Sequence, residues 1–108
     1  MKIVATELIK YNKNQLVTPK EYVENLYTIY EHVSIPCVYY AKRKEHNDEI
    51  YMLDYSIETL HCKEIEYEEY FNLIANKKIE LISIDKIKND LLKSLCNYIA
   101  KKGKQLIE

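Results

Sequence analysis

Gly103 is the only glycine in 108 residues, and it stands five positions from the end. Such a chain has almost no residue that takes positive φ without strain, and nowhere for an anion to approach the backbone without meeting a Cβ. A GxGxxG turn or a Walker A loop cannot be written in it, which excludes the ATP, GTP and dinucleotide enzymes built on those loops. Turns are constrained as well. A two-residue type I′ hairpin wants Asn-Gly or Asp-Gly, so a hairpin here must close through a longer loop.

At this length the chain is expected to form one domain, 1–108, burying roughly two-thirds of the surface its unfolded form exposes. Lys+Arg is 16 against Asp+Glu 17, so neither a uniformly basic nor a uniformly acidic protein is indicated, and any electrostatic function must come from local segregation. Cys37, Cys62 and Cys96 are odd in number and contain no CxxC, as expected of reduced thiols. With a carboxylate at Glu7 interrupting the first apolar run and no stretch of membrane-span length, a cytoplasmic location is expected. The 15 lysines, 14 isoleucines and 8 asparagines reflect AT-rich coding. The aromatic choice does not, since phenylalanine codons are equally AT-rich. Eleven tyrosines stand against one phenylalanine, Phe71, and no tryptophan. Rings with an apolar body and a polar tip suit boundaries and interfaces.

The best-specified element starts at Thr18-Pro19-Lys20-Glu21. Thr18 and Glu21 can form a capping box, Pro19 occupies the first helical position, and Val17 with Tyr22 makes a hydrophobic staple. Tyr22, Leu26, Ile29, Tyr30 and Val33 then fall on one helical face, which predicts a helix over 19–33. Residues 37–41 and 50–55 read as an antiparallel hairpin, with a further strand near 57–62. A shorter helix is expected over about 65–76 with Tyr67, Tyr70, Phe71 and Ile74 inward, then a strand over 78–82. A last helix is expected over about 85–102, capped by Asp85, carrying the stripe Ile84, Ile87, Leu91, Leu95 and Tyr98, and closed by Gly103 at C′. Residues 3–11 suit either a short helix or a strand. The fold class that follows is α+β: three or four antiparallel strands packed against two longer helices plus the shorter one.

Charge segregates along the chain. Between positions 45 and 69 lie nine acids, Glu45, Asp48, Glu49, Asp54, Glu58, Glu64, Glu66, Glu68 and Glu69, against the single base Lys63. Tyr51 and Tyr55 are interleaved with them. Such a surface could dock on a basic partner, although Glu64 to Glu69 would also complement the positive end of the helix they open. From Lys77 onward eight lysines face four acids, and Lys86, Lys93, Lys101 and Lys104 would line the outer face of the last helix as an alternative phosphate-contacting surface. The one arginine, Arg43, lies outside that segment. Catalytic readings find little purchase. His61 and Cys62 are adjacent, which on a strand sends them to opposite faces, and no local pair has zinc-ligand spacing.

These observations favour a non-catalytic protein-binding module working through an acidic, tyrosine-rich surface, with no cofactor and no metal. The concrete form expected is an inhibitor of a nucleic-acid-handling enzyme, of the phage, mobile-element or immunity type. A nucleic-acid-binding regulator and a small cysteine-dependent enzyme are the alternatives, and a homodimer would use spare tyrosines equally well.

Overall fold

The structure, a computed structural model, describes residues 8–12, 15–57 and 59–102. The described residues begin with two short antiparallel strands, β1 (Ile9–Asn12) and β2 (Gln15–Val17). Then come α1 (Pro19–Leu26), β3 (Tyr27–His32), β4 (Val38–Arg43), β5 (Ile50–Ile57) and β6 (Thr59–Glu64). α2 (Tyr67–Ala75), β7 (Ile79–Leu81), a 3-10 turn over Ile84–Lys86 and α3 (Asn89–Lys101) complete the order. The second sheet has five strands in the order β6-β5-β4-β3-β7, every pair antiparallel. The α+β class holds, with one more strand in the main sheet than the pattern predicts.

The extra strand is β3, in a stretch that the sequence pattern assigns to the first helix. That helix starts as expected: Thr18 Oγ1 accepts from the Glu21 N–H at 3.2 Å, and Glu21 Oε1 accepts from the Thr18 N–H at 3.1 Å. It ends eight residues later at Leu26 rather than at 33, and Tyr27 turns to extended backbone at φ −127°, ψ 152°. Tyr-Thr-Ile-Tyr supports either period, and pairing with β4 on one side and β7 on the other selects the strand.

Alternation along the strands gives the sheet two buried faces. Tyr27, Ile29, Ala41, Tyr51 and Leu53 point to one, where Tyr22 and Val23 of α1 and Leu91, Leu92, Leu95, Cys96 and Ile99 of α3 cover them. Val38, Tyr40 and Ile50 point to the other, where they meet Ile65, Ile79 and Tyr70 of α2, with Tyr30, Met52 and Leu73 packed alongside. α2 connects β6 to β7, the two opposite edges of the sheet.

The last helix also starts later than its apolar stripe suggests. Ser83 Oγ accepts from the Asp85 N–H and caps the separate 3-10 turn, after which Ile87 is extended at φ −105°, ψ 134°. α3 begins at Asn89. Asp85 is therefore not its cap and forms an ion pair with Lys20 at the start of α1. The expected closure at Gly103 and the early part of residues 3–11 lie outside the described residues; Ile9–Asn12 is strand.

Among the described residues two left-handed positions are filled without glycine, Cys37 at φ 63° and Lys77 at φ 55°. Lys77 follows the C-cap Asn76 of α2. Its N–H donates to Ile74 C=O at 3.1 Å, and the next N–H, of Lys78, reaches back to Leu73 C=O at 2.8 Å, the bonding of a Schellman close. A Cβ in this conformation costs about 1–2 kcal/mol, and glycine's extra unfolded-state entropy offsets about 0.5–1 of that. Lys77→Gly is expected to stabilise the fold by about 0.5–1 kcal/mol in urea denaturation, while Lys77→Ala gives no gain. Equal effects from the two substitutions would contradict the assignment.

Candidate protein interface

α2 is the least covered helix, and its surface divides cleanly around the wheel. Tyr70 and Leu73 point to the sheet, Tyr67, Phe71 and Ile74 occupy one flank at i, i+4 and i+7, and Glu69, Asn72 and Asn76 occupy the other. The helix is held by Tyr70, 8 % exposed, whose hydroxyl shares a 2.8 Å hydrogen bond with the Tyr30 hydroxyl and whose ring meets Tyr30 edge-on at 5.6 Å. Burial and that bond raise the Tyr70 phenol above its ordinary pKa.

Three side chains assigned inward by periodicity thus lie outside the core. Phe71 is 54 % exposed, Tyr67 41 % and Ile74 37 %. The stripe read from the sequence is broader than the edge of α2 that meets the sheet: Tyr70 and Leu73 fill that edge, and Tyr67, Phe71 and Ile74 fall on the adjoining flank. The exposed rings are not loose: Tyr67 lies 6.3 Å from Phe71 and 5.7 Å from Tyr70, centroid to centroid. Carboxylates lie farther around the helix, in its first turn and on the opposite flank. Glu66 at the N-cap position and Glu68 and Glu69 in the first turn are all exposed, and no basic residue falls in the last turn. The first-turn acids also suit the helix dipole. On the acidic flank an open depression of about 530 Å³ is lined by Glu66, Glu69, Asn72, Leu73, Asn76 and Lys78.

The other acidic candidates do not form one surface with these. Glu45 and Asp48 are exposed in the β4–β5 loop, and Glu64 is exposed at the end of β6, paired in register with Tyr51 near the same end of the sheet. Asp54 and Tyr55 are half-buried toward the opposite end, where Asp54 pairs with Val38 and the Tyr55 N–H donates to Cys37 C=O. Glu58 lies outside the described residues.

Two candidates are removed from the surface altogether. Tyr51 has no exposure, and Glu49 is 8 % exposed with both of its oxygens engaged. Glu49 Oε2 accepts from the Tyr27 and Tyr51 hydroxyls, and Oε1 lies 3.6 Å from Arg43 Nη1. The physical reason is strand parity: Glu49 precedes β5 by one residue and falls in phase with Tyr51 and Leu53 on the α1–α3 face. Charge alone placed it outside. The signal that finds it is the two-residue period, together with Tyr27 as a strand residue.

The alternative lysine face is also broken up. Lys86 sits in the 3-10 turn, out of register with α3, Lys93 is half-buried, Lys101 is exposed, and Lys104 lies outside the described residues. Of the thiols, burial pushes Cys62 up to about 11 and Cys96 up to about 12, so both are protonated at neutral pH, while Cys37 is exposed in its turn. Among the described residues no cluster of His, Cys, Asp and Glu is placed to hold a metal, and no helix is long and apolar enough to cross a membrane. No family model, curated protein or solved structure matches the chain.

Proposed function

We propose that this chain is a protein-binding module whose contact surface is the outer side of α2. The observation that carries the reading is the exposure of Phe71, Tyr67 and Ile74 as one ordered apolar stripe on a helix whose N-cap and first turn also expose Glu66, Glu68 and Glu69. Isolated exposed apolar residues are ordinary, but a contiguous aromatic stripe on a helix anchored from below has the composition of an interface centre with a charged rim. Carboxylates in that rim favour a basic partner and would speed its approach. The concrete form is an inhibitor of a nucleic-acid-handling enzyme, as carried by phages, mobile elements or immunity systems, with Glu45, Asp48 and Glu64 as outlying contacts.

The test is affinity capture from the native host, then measured binding of the captured protein to variants. Phe71→Asp with Ile74→Asp is expected to weaken binding by a hundredfold or more, in line with the roughly 2–4 kcal/mol of an interface hot spot, with circular dichroism unchanged. Glu66→Gln, Glu68→Gln and Glu69→Gln together should slow association and flatten its salt dependence, leaving dissociation nearly unchanged. A partner retained by the Asp variant at parental affinity would sink the reading.

A further inference from the structure

Three strands supply the groups that meet at the Glu49 carboxylate. Tyr27 Oη donates to Oε2 at 2.5 Å, Tyr51 Oη donates to the same oxygen at 2.8 Å, and the Arg43 guanidinium stands 3.6 Å from Oε1. The donors are positioned by the sheet. Tyr27 and Arg43 are direct partners across β3 and β4, and Tyr51 is paired with Ala41 of β4. Neighbouring rings hold them in place. Tyr27 lies between Tyr22 and Tyr51 at 6.4 and 6.1 Å, Tyr98 of α3 meets Tyr51 edge-on at 5.7 Å, and the Arg43 guanidinium lies over the Tyr27 ring at 5.7 Å. Glu49 alone among the four is outside the strands, at the end of the β4–β5 loop.

We infer that Tyr27, Tyr51 and Arg43 form a carboxylate-binding pocket that the chain closes with its own Glu49, and that the pocket takes a small free carboxylate once that side chain is removed. The chemistry is selective. Two phenol O–H groups converge on one oxygen and a cation faces the other, which suits a planar monoanion and leaves the N–H₂ of a neutral amide facing donors. The Tyr27 and Tyr51 rings are buried on the α1–α3 face, so a guest would sit where water competes weakly. The pocket is separate from the α2 surface, and its test does not depend on any partner.

Glu49→Ala removes Cγ and the carboxylate, the atoms of acetate. Thermal unfolding of this variant is followed at pH 7 while sodium acetate replaces sodium chloride at constant ionic strength. The midpoint should rise along a saturating curve with acetate, rise less with acetamide, stay flat with trimethylacetate, and not move in the parent protein. Adding Tyr51→Phe to Glu49→Ala should weaken the acetate response about tenfold, the loss of one hydrogen bond to a charged group. If Glu49→Ala does not fold in chloride, recovery of native circular dichroism on addition of acetate is the supporting result. A variant that stays unfolded in acetate, or that responds equally to acetate, acetamide and chloride, overturns the inference.

Discussion

Glu49→Ala, measured in chloride by urea denaturation at pH 7, should lose about 3–5 kcal/mol of stability, more than any surface carboxylate in the chain. The loss has two parts. Two phenol hydroxyls buried with the rings are left without an acceptor, at about 1–3 kcal/mol each before any rearrangement, and the half-buried Arg43 loses its carboxylate. Tyr27→Phe or Tyr51→Phe removes one donor and leaves the carboxylate its other contacts, so each should cost about 1–2 kcal/mol. The pairing of each tyrosine with Glu49 should then appear as a non-additive term in double-mutant cycles. The backbone around the loop keeps its own ties, Arg43 N–H to Glu49 C=O and Lys44 N–H to Leu26 C=O, so the slope of the denaturation curve should stay the same. A Glu49→Ala loss below about 0.5 kcal/mol, the range of ordinary surface substitutions, would show that the cluster does not tie β3, β4 and β5 together.

The second large effect is expected in alkali. Burial first, and the hydrogen bond to Glu49 second, raise the Tyr27 and Tyr51 phenols far above their ordinary value. Above about pH 10 the unfolded chain sheds these two protons while the folded chain keeps them. The unfolded state then binds fewer protons, so stability falls as pH rises, by about 1.4 kcal/mol per pH unit for each phenol. Below about pH 10 the contribution is fully present. Phenolate absorbance and far-UV circular dichroism, followed together, should show a late ionisation step that coincides with unfolding. In Glu49→Gln the step should move to lower pH without vanishing, because burial remains. Ionisation of all tyrosines in one early step, with the dichroism intact, would contradict this.

What the sequence disclosed was mostly local. Thr18 and Glu21 form the box their spacing predicts, and the long loop forced on the β4–β5 hairpin by the lack of glycine is present. What it hid depends on partners distant in the chain. Tyr27 to His32 fit a helical wheel and a strand about equally, and only β4 and β7 decide between them. Charge alone assigns Glu49 to the surface, although its parity with Tyr51 points inward, and the donating phenol of Tyr27 is invisible while that residue reads as helix. Phe71 and Ile74 depart from their pattern in the opposite direction. Their apolar character argues for the core, but the sheet receives only the Tyr70 and Leu73 edge of α2.

The strand order has a consequence for how this chain reaches its fold. β3 with β4, β4 with β5 and β5 with β6 are pairs of consecutive strands, so three of the four pairings in the main sheet close short loops. β7 is different, because it must return across the sheet to β3 after α2. Loop-closure entropy therefore orders assembly, with the meander zipping first and the α2–β7 segment docking afterwards with only three residues to pair. The part of the molecule that carries the proposed contact stripe is then docked onto a meander that has already formed.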